Sequence, residues 1–118
     1  MPFRNKAALA LSELHAVLAH PARLRIIEEL GGQELDVAGL ARLMGLGQAA
    51  TSQHLARLRA QQLVVERREG RHVFYRVKDP NVTRWLAVGF DLVLARLDQD
   101  RNVASSIQRA RKAWSGAQ

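Results

Sequence analysis

The sequence predicts a mainly α-helical fold that carries one β-hairpin, with the element order α-α-α-α-β-β-α. Two observations lead to this class. Apolar residues recur at helical spacing through most of the chain, whereas residues 64–77 show the period of two short strands. A length of 118 residues suits one domain with a small core. We therefore expect residues 1–118 to form a single domain.

The first two helices lie on either side of a proline. Ala10, Leu14 and Leu18 fall at i, i+4 and i+8 and line one face of a helix over about residues 5–19. Pro21 ends this helix, because the residue before a proline is pushed out of the α region, and it suits the first turn of the second helix. A pair of glycines then ends the second helix.

Two short helices joined by a tight glycine turn follow. Asp36 is placed as the N-cap of the first of them, and Gly45 ends it after about two turns. Leu40 and Leu43 are expected to face the core. The second helix of this pair runs from Gln48 to Gln61 and carries small and amide side chains in its first turns.

A basic hairpin and a long helix complete the chain. Val64–Arg68 and His72–Val77 are predicted strands, and Gly70 supplies the turn between them. Asn81 is expected to cap a last helix over about residues 82–113. Apolar residues cover more of this helix than one small domain can bury, so we expect it to pack on the first helix and on a second copy of the chain. The predicted dimer-interface residues are Leu14, Leu18, Trp85, Leu86, Phe90, Val93 and Leu97.

Composition excludes several classes of protein. The chain has no cysteine, which rules out a disulfide framework, a thiolate metal site and a cysteine nucleophile. No apolar run approaches the roughly 18 residues of a membrane span, so we expect a soluble, cytoplasmic protein with no membrane partner. The sequence has no nucleophile elbow and no glycine-rich phosphate loop, so we predict neither an enzyme nor a bound cofactor.

The charge distribution favours a nucleic-acid partner. The net charge is +7, and between Gln48 and Lys78 there are seven basic residues but only two acidic ones. Two short helices with a tight turn, followed by a basic hairpin, are the parts of a winged helix-turn-helix, which binds double-stranded DNA. An alternative is a basic nucleic-acid-binding protein with little sequence preference. The amide side chains of the fourth helix argue against it, because indiscriminate binding needs only phosphate contacts or stacking aromatics.

The fourth helix and the hairpin carry the predicted DNA contacts. Glutamine pairs bidentately with adenine, and small side chains let the helix backbone approach the bases. The predicted base-reading residues are Gln48, Ala49, Ser52, Gln53 and His54. The predicted contacts to the DNA backbone, including those of the hairpin, are Thr51, Arg57, Arg59, Arg67, Arg68, Arg71 and His72.

Four segments stand out by their order and spacing, namely His20–Ile27, Leu40–Leu46, Gln48–Leu58 and Glu69–Val77. Together they resemble the ArsR/SmtB family of transcriptional regulators, and the similarity extends over about residues 15–97. The resemblance implies a homodimeric winged-helix repressor in which the first and last helices form the dimer interface. It also implies that the fourth helix lies in the major groove and that the wing touches the flanking minor groove. Two-fold symmetry would then require an inverted-repeat operator.

The positions at which this family senses metals mostly lack their ligands here. Sensors of arsenic, cadmium and lead begin the third helix with Leu-Cys-x-Cys-x-Leu, where this chain has Leu35–Leu40 without a cysteine. Of the four last-helix ligands of zinc and nickel sensors, only Asp79 is kept. A further departure is Gly47, where the family usually has a serine as helix cap. The resemblance therefore implies a regulator whose inducer is unknown, and no metal is predicted.

An alternative is a nickel- or zinc-responsive regulator with a non-standard site of histidines and carboxylates. His15 and His20 are the candidate ligands, since imidazole suits both metals. They are five residues apart and do not share a face of one helix. Glu13 or Asp91 could supply a carboxylate ligand to such a site near the predicted dimer interface.

Overall fold

The computed structural model describes residues 3–98 and 101–116, with side chains described for residues 5–97, 105 and 107–113. The elements are α1 Phe3–Leu18, α2 Pro21–Glu29, β1 Leu35–Asp36, α3 Val37–Met44, α4 Gln48–Ala60, β2 Val64–Glu69, β3 His72–Val77, α5 Asn81–Asp98 and α6 Arg101–Gly116. This order confirms the predicted fold class and adds a short strand before α3. The chain divides into two compact units, residues 1–83 and 84–118. None of the helices in the described ranges is long and apolar enough to cross a membrane.

Local hydrogen bonds set the ends of α2 and α3. His20 has an extended backbone, and its Nδ1 accepts a hydrogen bond from the N–H of Ala22 at 3.1 Å, so the intervening proline occupies the first turn. Asp36 caps α3 as expected, because its Oδ1 accepts from the N–H of Gly39 at 2.8 Å. Gly45 adopts a φ of +66°, the left-handed conformation that ends α3. The tight turn before α4 follows directly from it.

The core of the first unit lies between α1, α2, α3, α4 and the start of β2. Burying each of its larger side chains stabilises the fold by about 1.5–3 kcal/mol. The core residues are Leu18, Ile26, Ile27, Leu30, Leu40, Ala41, Leu55, Leu58, Leu63 and Val64.

Two expectations about apolar residues are wrong. Leu18 is only 5% exposed and belongs to this core rather than to a dimer interface, because α1 packs against α2 and α4. Leu43 is 51% exposed instead of facing inward. The buried face of α3 is centred between Leu40 and Ala41, and Leu43 lies roughly 110° around the helix from that direction.

The wing is the hairpin formed by β2, β3 and the turn between them. It belongs to a three-stranded antiparallel sheet with the order β1-β3-β2. Strands β2 and β3 pair along their full length, and Gly70 takes the positive φ of +61° that the turn requires. Strand β1 was not predicted because two residues are too few to show an alternating pattern. It forms because Leu35 pairs with Tyr75 of β3. Since Asp36 both ends β1 and caps α3, the wing is tied to the helix-turn-helix.

Two helices, α5 and α6, cover the range of the predicted last helix, with residues 99 and 100 outside the described part of the chain. Helix α5 begins at Asn81, and its cap is Asp79, whose Oδ1 accepts from the N–H of Asn81 at 2.9 Å. The expected cap is thus the first residue of the helix itself. Helix α5 exposes six large apolar side chains, which are Trp85, Val88, Phe90, Leu92, Val93 and Leu94.

Candidate nucleic-acid interface

Helix α4 turns one side to the core and a side made of small residues outwards. The buried side chains are Thr51, Leu55 and Leu58. Four exposed residues at i, i+4, i+7 and i+11 form the outward stripe, namely Ala49, Gln53, Ala56 and Ala60. Gln53 is the member of this stripe whose side chain can hydrogen-bond. It is therefore the residue best placed to reach the edge of a base.

The other predicted base-reading residues lie on the flanks of this stripe. Gln48 and Ser52 are exposed on one flank, where they stand beside the outward residues. His54 lies on the other flank and is only half-exposed, because its ring packs against α2. The side chain of His54 is thus less accessible to a base than those of the other four predicted residues, which are exposed. Four of the five predicted residues remain available to a ligand.

Thr51 cannot contact the DNA backbone, contrary to the sequence-based expectation. Its side chain is fully buried, and its Oγ1 donates a hydrogen bond to the carbonyl oxygen of Gly47 at 2.9 Å. The sequence contained the signal, since Thr51 precedes the core residues Leu55 and Leu58 by four and seven positions. The hydroxyl closes the first turn of α4, which begins at a glycine without a side-chain cap.

His54 is held by two side chains of α2. The Nε of Arg23 donates a hydrogen bond to Nδ1 of His54 at 3.3 Å, and the rings of His20 and His54 have centroids 4.6 Å apart. Partial burial lowers the pKa of His54, and the nearby His20, Arg23 and Arg57 lower it further. Both effects favour the neutral form of the His54 imidazole.

Arg67 of the wing is bound by carboxylates. It makes a bidentate pair with Glu34, and its Nη1 lies 2.9 Å from Oε2 of Glu69. Its guanidinium also lies over the ring of Phe74, 4.9 Å from the centroid. The hydrogen bonds to Glu34 and Glu69 raise the pKa of Arg67, and the same hydrogen bond lowers the pKa of Glu34. A phosphate would have to share or compete for Arg67 with these two carboxylates.

Arg59 is also paired, in this case with a carboxylate of β2. Its Nη1 lies 2.8 Å from Oε2 of Glu66, and that carboxylate accepts a hydrogen bond from the hydroxyl of Tyr75 at 3.3 Å. Burial and the Glu66 charge raise the pKa of Tyr75. The pair connects the last turn of α4 to the base of the wing. Its geometry suits a structural role better than a phosphate contact.

Three other residues that are predicted to contact the DNA backbone are exposed. Among the residues that the structure describes, they form no ion pair. They are Arg57 on α4, Arg68 on β2 and Arg71 at the wing turn. His72 is exposed as well, with its Nδ1 3.9 Å from a carboxylate oxygen of Asp36. These positions leave positive charge on both α4 and the wing for an anionic ligand.

The candidate metal ligands are used in other ways. Nδ1 of His15 lies 2.8 Å from the carbonyl oxygen of Leu11, and Nδ1 of His20 accepts the N–H of Ala22. Asp79 caps α5. Within the described ranges, no three histidine, aspartate or glutamate side chains come together in a way that could hold a metal ion.

Two residues of this surface were missed from the sequence. Glu34 meets Arg67 from 33 positions away, and no local pattern indicates such a pairing. Arg23 left a weak signal, because it stands in the first turn of α2, where a cation is opposed by the helix dipole. A cation at such a position suggests a side-chain partner elsewhere in the fold.

The chain is similar in sequence and in fold to known proteins. Residues 20–65 match the family model described as bacterial regulatory protein, arsR family. The chain is 35% identical over 91 residues to nodulation protein NolR of Rhizobium meliloti, an alignment that covers 77% of this chain and 75% of NolR. It is 43% identical over 75 residues to a transcriptional repressor SmtB homologue of Synechocystis, covering 64% of this chain and 57% of that protein. The solution structure of a homodimeric winged helix-turn-helix DNA-binding domain from Mycobacterium bovis superimposes with a TM-score of 0.73 at 28% identity, covering 84% and 93% of the two chains.

Proposed function

This chain belongs to the ArsR family of DNA-binding bacterial transcriptional regulators, and from that premise we propose that it is a homodimeric repressor of an inverted-repeat operator. Each subunit inserts α4 into the major groove and lays its wing along the flanking minor groove. The chain acts in the cytoplasm as a single DNA-binding domain and has no enzymatic activity. Its relative in Synechocystis is named a transcriptional repressor, which supports this direction of control.

The outward stripe of α4 is the observation that carries the proposal. Alanines surround Gln53, so the helix backbone can approach the floor of the groove and bring one amide to a base edge. Gln48 and Ser52 add hydrogen-bonding groups on one flank. A protein that bound DNA through phosphates alone would need none of these groups. The stripe therefore supports sequence-specific binding.

Phosphate binding falls to the exposed arginines that have no carboxylate partner in the described structure, namely Arg57, Arg68 and Arg71. Arg59 and Arg67 are neutralised by neighbouring glutamates and contribute less. His72 lies beside Arg71 at the wing turn and joins this set. The division between free and paired arginines predicts which substitutions change the salt dependence of binding.

The exposed apolar side chains of α5 support a homodimer. Trp85 is 51% and Phe90 61% exposed, and Val93 lies one turn from Phe90 on the same helix. Soluble proteins rarely leave such a continuous apolar surface in water, and a second copy of the chain is the occupant we propose. The proposed interface residues are Leu14, Trp85, Leu86, Phe90, Val93 and Leu97.

Selection of duplexes from a random pool, followed by fluorescence anisotropy on the selected duplex, tests the function. Gln53→Ala should weaken binding to the selected duplex by about 1–3 kcal/mol while it leaves binding to random duplexes unchanged. Gln61→Ala is the matched control, since the same side chain stands at the end of the same helix. Equal losses on all duplexes from Gln53→Ala would instead favour a basic protein with little sequence preference.

The proposed inducer acts without cysteine chemistry, because the chain has no thiol. A nickel or zinc site with His15 and His20 receives little support. Nδ1 of His20 accepts a hydrogen bond, so the proton of the neutral ring is on Nε2 and blocks that nitrogen. Among the described residues, no third histidine, aspartate or glutamate joins these two histidines in a cluster that could hold a metal. We therefore propose an inducer other than a metal bound at these two residues.

A further inference from the structure

Three side chains, His20, Arg23 and His54, form a polar contact between the start of α2 and the DNA-reading helix α4, and we name them the α2–α4 cluster. We propose that this cluster fixes the position of α4 for DNA binding, with Arg23 and His20 as positioning residues, and that it holds only while His54 is uncharged. The proposal rests on the proposed function, because it concerns how α4 is presented to DNA. It assigns a pH response to the binding of the operator.

Arg23 connects three helices. Its Nε donates to Nδ1 of His54 on α4, and its Nη1 donates to the carbonyl oxygen of Val17 in the last turn of α1 at 3.0 Å. The Arg23 backbone itself lies in the first turn of α2. One guanidinium thus fixes the relative positions of α1, α2 and α4. A guanidinium can do this because its donors point in fixed directions within one plane.

His20 completes the contact from the start of α2. Its Nδ1 is occupied by the N–H of Ala22, which fixes the ring at the helix cap. The His20 ring then lies against the His54 ring with an interplanar angle of 53° and a centroid distance of 4.6 Å. Because the cap holds His20, the position of His54 depends on the end of α2 as well as on Arg23.

His54 transmits this position to the DNA-reading residues. It is next to Gln53 in the chain and three residues before Arg57, on one continuous helix of 13 residues. Any rotation of α4 that releases His54 also moves Gln53 away from its base. The half-buried flank of α4 therefore controls what the exposed stripe can reach.

The hydrogen bond from Arg23 requires a neutral His54. Since Nε of Arg23 donates, Nδ1 of His54 must carry a lone pair, and the single ring proton is on Nε2. Protonation puts a donor opposite a donor and adds a positive charge beside Arg23. The other groups that act on His54 are His20 from α2 and Arg57 from α4 itself, and neither of them compensates that charge. Protonation therefore breaks the contact.

The direction of the pH effect follows from the lowered pKa of His54. Burial and the neighbouring positive charges depress this pKa in the folded protein below the ordinary value of histidine. The cluster therefore stabilises the folded protein fully above the ordinary histidine pKa. This stabilisation is lost as the pH falls from that value through the lower pKa that His54 has in the folded state. Operator binding should weaken under acidic conditions.

The test measures fluorescence anisotropy of the selected duplex in steps from about pH 8 to about pH 5, at constant ionic strength, so that the series crosses the ordinary histidine pKa and continues below it. Wild type should bind about tenfold more weakly at the lower pH, the equivalent of one charge-assisted hydrogen bond. His54→Gln keeps a side-chain acceptor but cannot titrate, so its affinity should change less than about twofold. The matched control, His15→Gln, removes an exposed histidine of α1 that is not among the proposed DNA contacts, and it should keep the acid-induced loss.

Two results on DNA would overturn the proposal. One is an acid-induced loss in His54→Gln as large as that in wild type. The other is tighter binding of wild type at low pH that His54→Gln abolishes, because this would mean that protonated His54 contacts a phosphate directly.

A measurement without DNA separates this proposal from the proposed function. The titration of the His54 ring is followed by NMR in wild type and in Arg23→Gln. The midpoint should rise toward the ordinary histidine value in the variant, because a neighbouring cation has been removed. An unchanged midpoint would contradict the cluster. Failure of wild type to select any duplex would refute the proposed function alone, and the titration would still decide whether Arg23 controls His54.

Discussion

The guanidinium of Arg67 and the carboxylate of Glu34 form a bidentate pair, with three nitrogen–oxygen distances between 3.0 and 3.2 Å. Glu34 lies in the segment before β1, whereas Arg67 lies in the middle of β2, so the pair fastens the wing to the segment that leads into α3. Glu69 binds the same guanidinium from within the wing. A bound phosphate would have to compete with two carboxylates for Arg67.

Glu34→Gln should strengthen DNA binding. The substitution removes the principal competitor for Arg67 and a negative charge near the wing, so affinity should rise about two- to fivefold on operator and random duplexes alike, the size of an exposed ion pair. Fluorescence anisotropy over a salt series measures both affinity and salt slope. Glu28→Gln is the control, because it removes the same charge from an exposed position on α2. An equal gain in the control would show that net charge alone is responsible.

Arg68→Ala and Arg71→Ala should weaken binding to every duplex and flatten its salt dependence. Each lost phosphate contact lowers the slope of log K against log salt by about 0.9, hence by about 1.8 for the two copies in a dimer. Arg59→Ala should change the slope much less, since Glu66 already neutralises that side chain. A slope change in Arg59→Ala as large as that in Arg68→Ala would contradict the division of the arginines.

Gly47→Ser should stabilise the protein, and Gly47→Ala should destabilise it. Gly47 is the N-cap of α4, makes no side-chain cap, has a φ of −67° and has open space where a Cβ would stand. A serine oxygen can accept an unpaired N–H of the first turn, whereas alanine cannot, so the two variants should differ by about 1 kcal/mol in the free energy of unfolding. Urea denaturation followed by circular dichroism measures this difference. If serine and alanine proved equal, the cap would contribute nothing at this position.

Val93→Asp should convert the dimer into a monomer. Val93 is 47% exposed on α5, so the aspartate should not disturb the fold of one chain, but two carboxylates would be buried at the proposed interface. The dimer dissociation constant should rise about a hundredfold or more, as measured by sedimentation velocity. Leu43→Asp is the matched control, because Leu43 is similarly exposed on α3, outside the proposed interface. A Val93→Asp protein that remained dimeric would exclude α5 as the interface.

The sequence by itself determined the first four helices, the two strands of the wing and the residues that set the ends of α2 and α3. Proline has a fixed φ that suits the first turn of α2, and glycine permits the left-handed conformation that ends α3 at Gly45. Asp36 caps the helix that follows it. The small and amide residues of α4 likewise predicted the DNA-reading side before any contact was known. These features depend on neighbours within a few positions, which is why spacing alone revealed them.

Only the tertiary structure decided which polar groups remain free for a ligand. Thr51 is buried, His54 faces Arg23 and Arg67 is held by Glu34, although all three belong to segments that look DNA-facing in sequence. Two of these contacts join residues 31 and 33 positions apart. Such contacts form because folding brings distant charges and rings together, and a local pattern contains no information about the distant partner.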